Sequence, residues 1–187
     1  MRALRVAANR FEEFRIANAL APRTWYPAAK MSRAAFRVVR LGSDPYLATA
    51  RRLVVAGSIL LGRQVRAHEL WDVGEDEPLP TASALASRPF IAKRHLATLK
   101  RYDTAFDRVL HAEGLSPFFF AQAAAISRQH LQRLRSGENE PCMSTVAQIV
   151  RTLRRLTGKP YKAAHIFEVG EQLPTTDALV LWLRRSL

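Results

Sequence analysis

The chain is written twice. Displaced by 95 positions, residues 11–42 fall on 106–137 with 10 identities in 32 positions, among them Phe11/Phe106, Leu20/Leu115, Pro22/Pro117, Ser32/Ser127, Arg40/Arg135 and Gly42/Gly137. One inserted residue moves the offset to 96. The match then runs from Pro45/Pro141 to the tripeptide Val73-Gly74-Glu75, repeated as Val169-Gly170-Glu171, with 9 identities in 31 positions. Unrelated segments would share about two residues in each window, at roughly one chance match in twenty. A duplicated chain of 187 residues is expected to fold as two similar small units, each closing its own core with about 75 residues.

Within a unit the apolar spacing is helical. In the second copy Leu96, Leu99, Tyr102, Phe106, Val109 and Leu110 recur at intervals of three and four, predicting a first helix that ends at Gly114. Ser116 followed by Pro117 opens a second helix reaching about Ala124, because the first helical position has no use for the N–H that proline lacks. Ser127 caps a third, with Leu131 and Leu134 facing inward, which stops before Gly137. A fourth runs from about Met143 to Leu156 and buries Val146, Ile149, Val150 and Leu153, and a short fifth lies near residues 162–167. No stretch alternates with period two for long enough to read as a strand. The expected fold class is all-α: two tandem five-helix units, residues 1–77 and 93–172, joined by a Pro/Ala/Ser linker at 78–92 and followed by an apolar helix at 173–187.

Composition narrows the function classes. The net charge is +13, and it is shared: residues 1–77 carry 13 basic and 8 acidic side chains, and residues 98–187 carry 13 and 8 again. A basic tail would concentrate the excess at one end, so two cationic units point to a polyanionic partner, nucleic acid ahead of an anionic membrane. The lone Cys142 can make neither an internal disulfide nor a CxxC zinc site, which favours the reducing cytoplasm. The longest apolar runs, 54–61 and 178–183, are far shorter than the roughly 20 residues that cross a bilayer. The arginine-bearing N-terminus reads as a folded helix, since Glu12 and Glu13 are foreign to a transit peptide. No Gly-rich phosphate loop, HExxH, GxSxG or DxD occurs, and the five histidines show no ligand spacing with carboxylates. Neither catalysis, nor a metal, cofactor or small-molecule ligand, is therefore expected.

Residues 106–171 resemble the Cro and phage-repressor (XRE-type) helix-turn-helix family. The likeness rests on Gly114-Leu115-Ser116, on Ala121 in the tight position of helix two, on the run ISRQHLQRLRSG from Ile126 to Gly137, and on Pro141 before helix four. It covers the whole second unit and, more weakly, the first. The resemblance implies lambda-repressor-like bundles whose third helix enters the major groove of double-stranded DNA, hence a sequence-specific transcription regulator acting at the nucleoid. It also implies that Arg128, Gln129 and Arg133 occupy base-reading positions.

The residues offer their own reasons. Helices two and three must cross closely, and Ala121 is small enough to let them. Ile126, Leu131 and Leu134 then anchor helix three, leaving Arg128, Gln129, Gln132 and Arg133 outside with no acid among them. Arginine can hold guanine O6 and N7, and glutamine adenine N6 and N7, each pair contributing about 1–3 kcal/mol of discrimination. Ser127, Arg135 and the exposed amides at the starts of helices two and three are placed for phosphates, which position without specifying. Pro117 stands where many members of the family carry a phosphate-clamping glutamine, so that contact is lost. Phe118 and Phe119 follow; with Phe120 expected in the core, at least one of the two is exposed or meets a partner.

The first copy departs further. Tyr26 stands at the crossing and Pro27 inside helix two, where an interior proline costs roughly 3 kcal/mol and overpacking about 1–3. Its third helix, 32–40, keeps Arg33, Arg37 and Arg40 for phosphates, but Ala34 and Val38 replace polar readers, so the unit either binds backbone or serves mainly to pair the two halves, with degenerate or backbone-only binding expected ahead of base reading. In the last helix Leu179, Trp182 and Leu183 lie in a segment apolar nearly all round, which either docks on the core or pairs two copies as a homodimer. The acidic run Glu75-Asp76-Glu77 should point away from DNA. A different class of function is a protein-interaction module, antitoxin-like or anti-activator, holding a partner with Phe118, Phe119 and the 179–183 stripe. A structural nucleoid or RNA-binding protein is a third.

Overall fold

The computed structural model describes residues 9–81 and 102–169, and the regular elements among them are all helical. They fall into two compact units, residues 9–72 with Val169, and residues 73–81 with 102–168. The first unit holds α1 (Arg10–Ala17), α2 (Pro22–Ala28), α3 (Arg33–Arg40), α4 (Leu47–Leu61) and α5 (Ala67–Leu70). The second holds α6 (Ala105–Ala112), α7 (Pro117–Ala123), α8 (Arg128–Ser136), α9 (Met143–Thr157) and a 3-10 turn (Ala163–His165). The offsets of the sequence repeat carry each element onto its counterpart.

Paired local signals explain the shared bounds. Asn9 and Thr104, 95 positions apart, cap the first helix of each unit: Asn9 Oδ1 accepts from the Glu12 amide at 2.9 Å and Thr104 Oγ1 from the Asp107 amide at 3.1 Å. The same side chains also close the third helix, Asn9 Nδ2 donating to the Val39 and Arg40 carbonyls and Thr104 Oγ1 to the Arg135 carbonyl at 2.8 Å. One polar group thus satisfies orphan donors of one helix and orphan acceptors of another. Ser32 and Ser127 cap α3 and α8 by accepting from the Ala35 and His130 amides at 3.1 Å. Helix α6 is shorter than the sequence spacing predicts: it begins after Thr104, Tyr102 precedes it, and Leu96 and Leu99 lie outside the described residues. The expected fifth helix is only the 3-10 turn. Residues 82–92 of the expected linker and the whole of the apolar C-terminal segment, including Leu179, Trp182 and Leu183, also lie outside the described residues.

Each core is filled by different volumes at matching positions. Trp25 and Phe36 stand where the second unit has Phe120 and Leu131, and all four are buried. Across the bundle α4 compensates, with Ala50 and Gly57 in place of Val146 and Leu153. A Cβ added at Gly57 would meet Trp25 Cζ2 at 3.4 Å, so the glycine makes room for the indole. The indole N–H donates to the Leu53 carbonyl at 3.2 Å, so this buried donor is satisfied. Phe11 packs on Trp25, Phe36 and Trp71 with ring centroids 4.8–5.7 Å apart, and Phe106 repeats the arrangement on Phe120 and Phe167 at 5.7 and 5.9 Å. Pro27 does not prevent α2, which spans the same seven residues as α7. In so short a helix proline forfeits one hydrogen bond, to the Arg23 carbonyl. Tyr26 is half-buried, its ring 6.2 Å from that of Phe36.

The division after residue 77 expected from the repeat is moved by the structure to Asp72/Val73. Residues 73–77 belong to the second unit. Val73 is buried, and Gly74, at φ +75, lies so near α9 that a Cβ there would fall 2.2 Å from the Ala147 carbonyl oxygen. Glu75 Oε1 accepts from the Ala163 amide at 3.0 Å, and Arg154 Nε donates to the Glu77 carbonyl at 3.0 Å. Both repeats end in the same Val-Gly-Glu, and a local pattern does not say which unit such a segment covers.

Candidate nucleic-acid interface

Helix α8 is pinned from one side. Leu131 and Leu134 are buried there, with Ile126 just before the cap. At 100° per residue, Arg128, Gln129, Gln132 and Arg133 then occupy an arc of about 140° on the opposite face, and all four are exposed. The turn that presents this face is tight: Gly114 and Ala125 both adopt positive φ, +66 and +48, on either side of α7. Only glycine enters that region without strain, so Ala125 stores some.

The four side chains are not equivalent. The Arg128 guanidinium lies over the Phe118 ring, 3.8 Å from its centroid. Gln129 and Arg133 stand exposed. Gln132 is tied to its own bundle, donating to the Tyr102 hydroxyl while its carbonyl accepts from Arg135 Nη1 at 3.2 Å. A reader already bridged to two neighbours has fewer groups left for a base edge.

Among the expected phosphate contacts, Ser127 is exposed with its oxygen accepting from the cap amide, and Arg33 and Arg37 stand exposed on α3. Arg135 does not fit that role. It is 4% exposed, and its Nε donates to Asp107 Oδ1 at 2.6 Å, with Asp107 itself 1% exposed. Asp107 Oδ2 also accepts from the Tyr102 amide at 2.8 Å. A charge held this deeply orders the bundle and is out of reach of a phosphate. Arg40, its repeat counterpart, is likewise engaged, gripping both oxygens of Glu12 at 2.9 and 2.6 Å. Arg15 takes the same carboxylate at 2.8 and 2.7 Å. Burial raises the Glu12 pKa, but the hydrogen bonds and charges of the two arginines outweigh it and hold the group down at about 2.

The acid–arginine pair from helix one to helix three is therefore repeated, Glu12–Arg40 and Asp107–Arg135. It was legible only as a conservative exchange at offset 95, which a count of identities passes over. The remaining expected site residues are Phe118, 51% exposed with Arg128 against its ring, and Phe119, half-buried. Val38 on α3 and Leu41 just past its end are 54% and 67% exposed, an apolar pair where the second unit carries a charge at the first position. Arginines of α9 are spoken for in part: Arg151 lies 3.8 Å from Asp76 and 4.0 Å from Glu77, and Arg155 donates to the Ala123 carbonyl at the end of α7.

Among the described residues no helix is long and apolar enough to cross a membrane, and no group of three or more His, Cys, Asp or Glu could hold a metal ion. No protein-family model, no curated protein and no solved structure matches the chain.

Proposed function

We propose that the protein is a sequence-specific double-stranded DNA-binding transcription regulator of the cytoplasm, built from two tandem helix-turn-helix units of the XRE type. In this reading α8 enters the major groove, Arg128, Gln129 and Arg133 meet base edges, and Gln132, on the same face, is held by Tyr102 and Arg135. The observation that carries it is the exposed arc of α8, two arginines and two glutamines with no acid, opposite the buried Leu131 and Leu134. The first unit contributes Arg33 and Arg37 to phosphates, because α3 offers Ala34 and Val38 where polar readers would be needed. Binding weakens steeply with salt as neutralised phosphates release counterions.

The test is site selection from random duplexes followed by Arg128→Ala and Arg133→Ala. Each substitution should lower preference at one base pair by about 1–3 kcal/mol. If both variants keep wild-type affinity and specificity on the selected site, the assignment of α8 fails. A second reading, a protein-interaction module, draws on the exposed apolar groups Val38, Leu41 and Phe118. A stoichiometric protein co-purifying with a chain that retards no duplex would support it.

A further inference from the structure

Three arginines on the third helices are held in two different ways. Arg40 gives Nε and Nη2 to Glu12, and Arg135 gives Nε to Asp107 and Nη1 to Gln132, so donors that could recognise a base are engaged within each unit. Arg128 is held by its face. Its guanidinium lies over the Phe118 ring at 3.8 Å, and among the described residues no carboxylate pairs with it. A ring face attracts the cation through its quadrupole and leaves the planar fork of donors unspent. Stacking therefore restricts a long, rotamer-rich side chain while keeping every donor available, the combination that bidentate recognition requires.

The duplication supplies an internal control. At offset 95 the counterpart of Arg128 is Arg33, and the counterpart of Phe118 is Arg23. Arg33 thus has a like charge in place of an aromatic platform, and nothing of this kind restrains it from α2. The two units therefore differ at the residue that stands in the place of the ring against Arg128.

We propose that Phe118 is a positioning residue that holds the Arg128 guanidinium, donor edge outward, to read one guanine in the major groove, a reading the first unit does not duplicate. This rests on the assignment of α8 as the DNA-reading helix. The exposed phenylalanine is then explained without a protein partner.

The experiment uses the full chain and a duplex selected from a random pool, with each guanine replaced in turn by 7-deazaguanine, which lacks the N7 acceptor. Wild type should lose binding about fivefold to a hundredfold at one guanine, as expected for a bidentate arginine contact. Arg128→Ala should abolish that loss. Phe118→Ala should shrink it by about two- to fivefold while leaving the salt slope of binding unchanged, and Phe118→Trp should restore it; thermal melting checks that each variant is folded. If Arg128→Ala leaves the 7-deazaguanine effect intact, Arg128 is not the guanine reader and this proposal is overturned; the α8 reading itself falls if Arg133→Ala leaves the effect intact as well. If Arg128→Ala removes the effect but Phe118→Ala keeps it at the wild-type level, or weakens all duplexes equally, the positioning role alone is overturned.

Discussion

Gly74→Ala should destabilise a unit whose first described helix begins 31 residues further along the chain. The new Cβ would lie 2.2 Å from the Ala147 carbonyl oxygen, a backbone atom within α9 that cannot swing aside. Keeping the segment in place would add the strain of a positive φ, about 1–2 kcal/mol for a non-glycine residue, to a clash that no rotamer relieves. Lifting the segment is the cheaper response. It uncovers Val73, worth about 1.5–3 kcal/mol for a fully buried side chain. It also breaks the bonds from Ala163 to Glu75 and from Arg154 to Glu77, at about 0.5–1.5 kcal/mol each. Some chain entropy is regained, so the net loss should be about 2–5 kcal/mol. Hydrogen exchange read by mass spectrometry on the full chain would resolve it, with α4 amides as the reference. Protection of the α9 amides around Val146–Val150 should fall by about 30-fold or more, the equivalent of the lower bound. Protection within threefold of wild type, or a loss confined to α4, would refute the placement of residues 73–77 in the second unit.

Three further outcomes follow from the two buried ion pairs and the tight turn. Arg135→Met should cost about 3–5 kcal/mol in urea unfolding by stranding Asp107, yet leave the salt slope of DNA binding unchanged; a variant that melts normally and loses about one unit of slope would return Arg135 to the phosphates. Glu12, held at about 2 against an ordinary 4.5, contributes stability that is fully present above pH 4.5 and lost as pH falls towards 2. The amount is up to about 3 kcal/mol, and Glu12→Gln should flatten that acid limb, whereas parallel profiles would show the triad to be inert. Ala125→Gly removes the strain of φ +48 and, after the entropy of an added glycine, should stabilise by about 0.5–1 kcal/mol; a lower urea midpoint would contradict this.

Short-range signals were the legible part of the fold. Pro117, Ser127 and Gly137 mark helix ends within a few residues of where they act, and α7 and α8 lie where those marks place them, while α9 spans the apolar run read from Met143 to Leu156. The first helix of the second unit shows the limit. Leu96, Leu99 and Tyr102 continue the periodic stripe, but α6 begins only after Thr104, whose hydroxyl both caps it and reaches the Arg135 carbonyl; Leu96 and Leu99 lie outside the described residues. The exposed face of α8 was legible for the same local reason, since three inward apolar residues dictate which others face out. The stacking of Arg128 on Phe118 was not, because it depends on the angle between two helices.

By itself the sequence determined that there are two copies, that they are helical, and which faces of α8 and α9 turn inward, because periodicity and caps act over a turn or two. Only tertiary structure decided the fate of each arginine. Arg40 and Arg135 find carboxylates 28 residues away, Arg128 finds a ring, and residues 73–77 cover the second unit. An arginine has the same local preferences in all these places, and what distinguishes them is the charge, ring or carbonyl that folding brings within 4 Å.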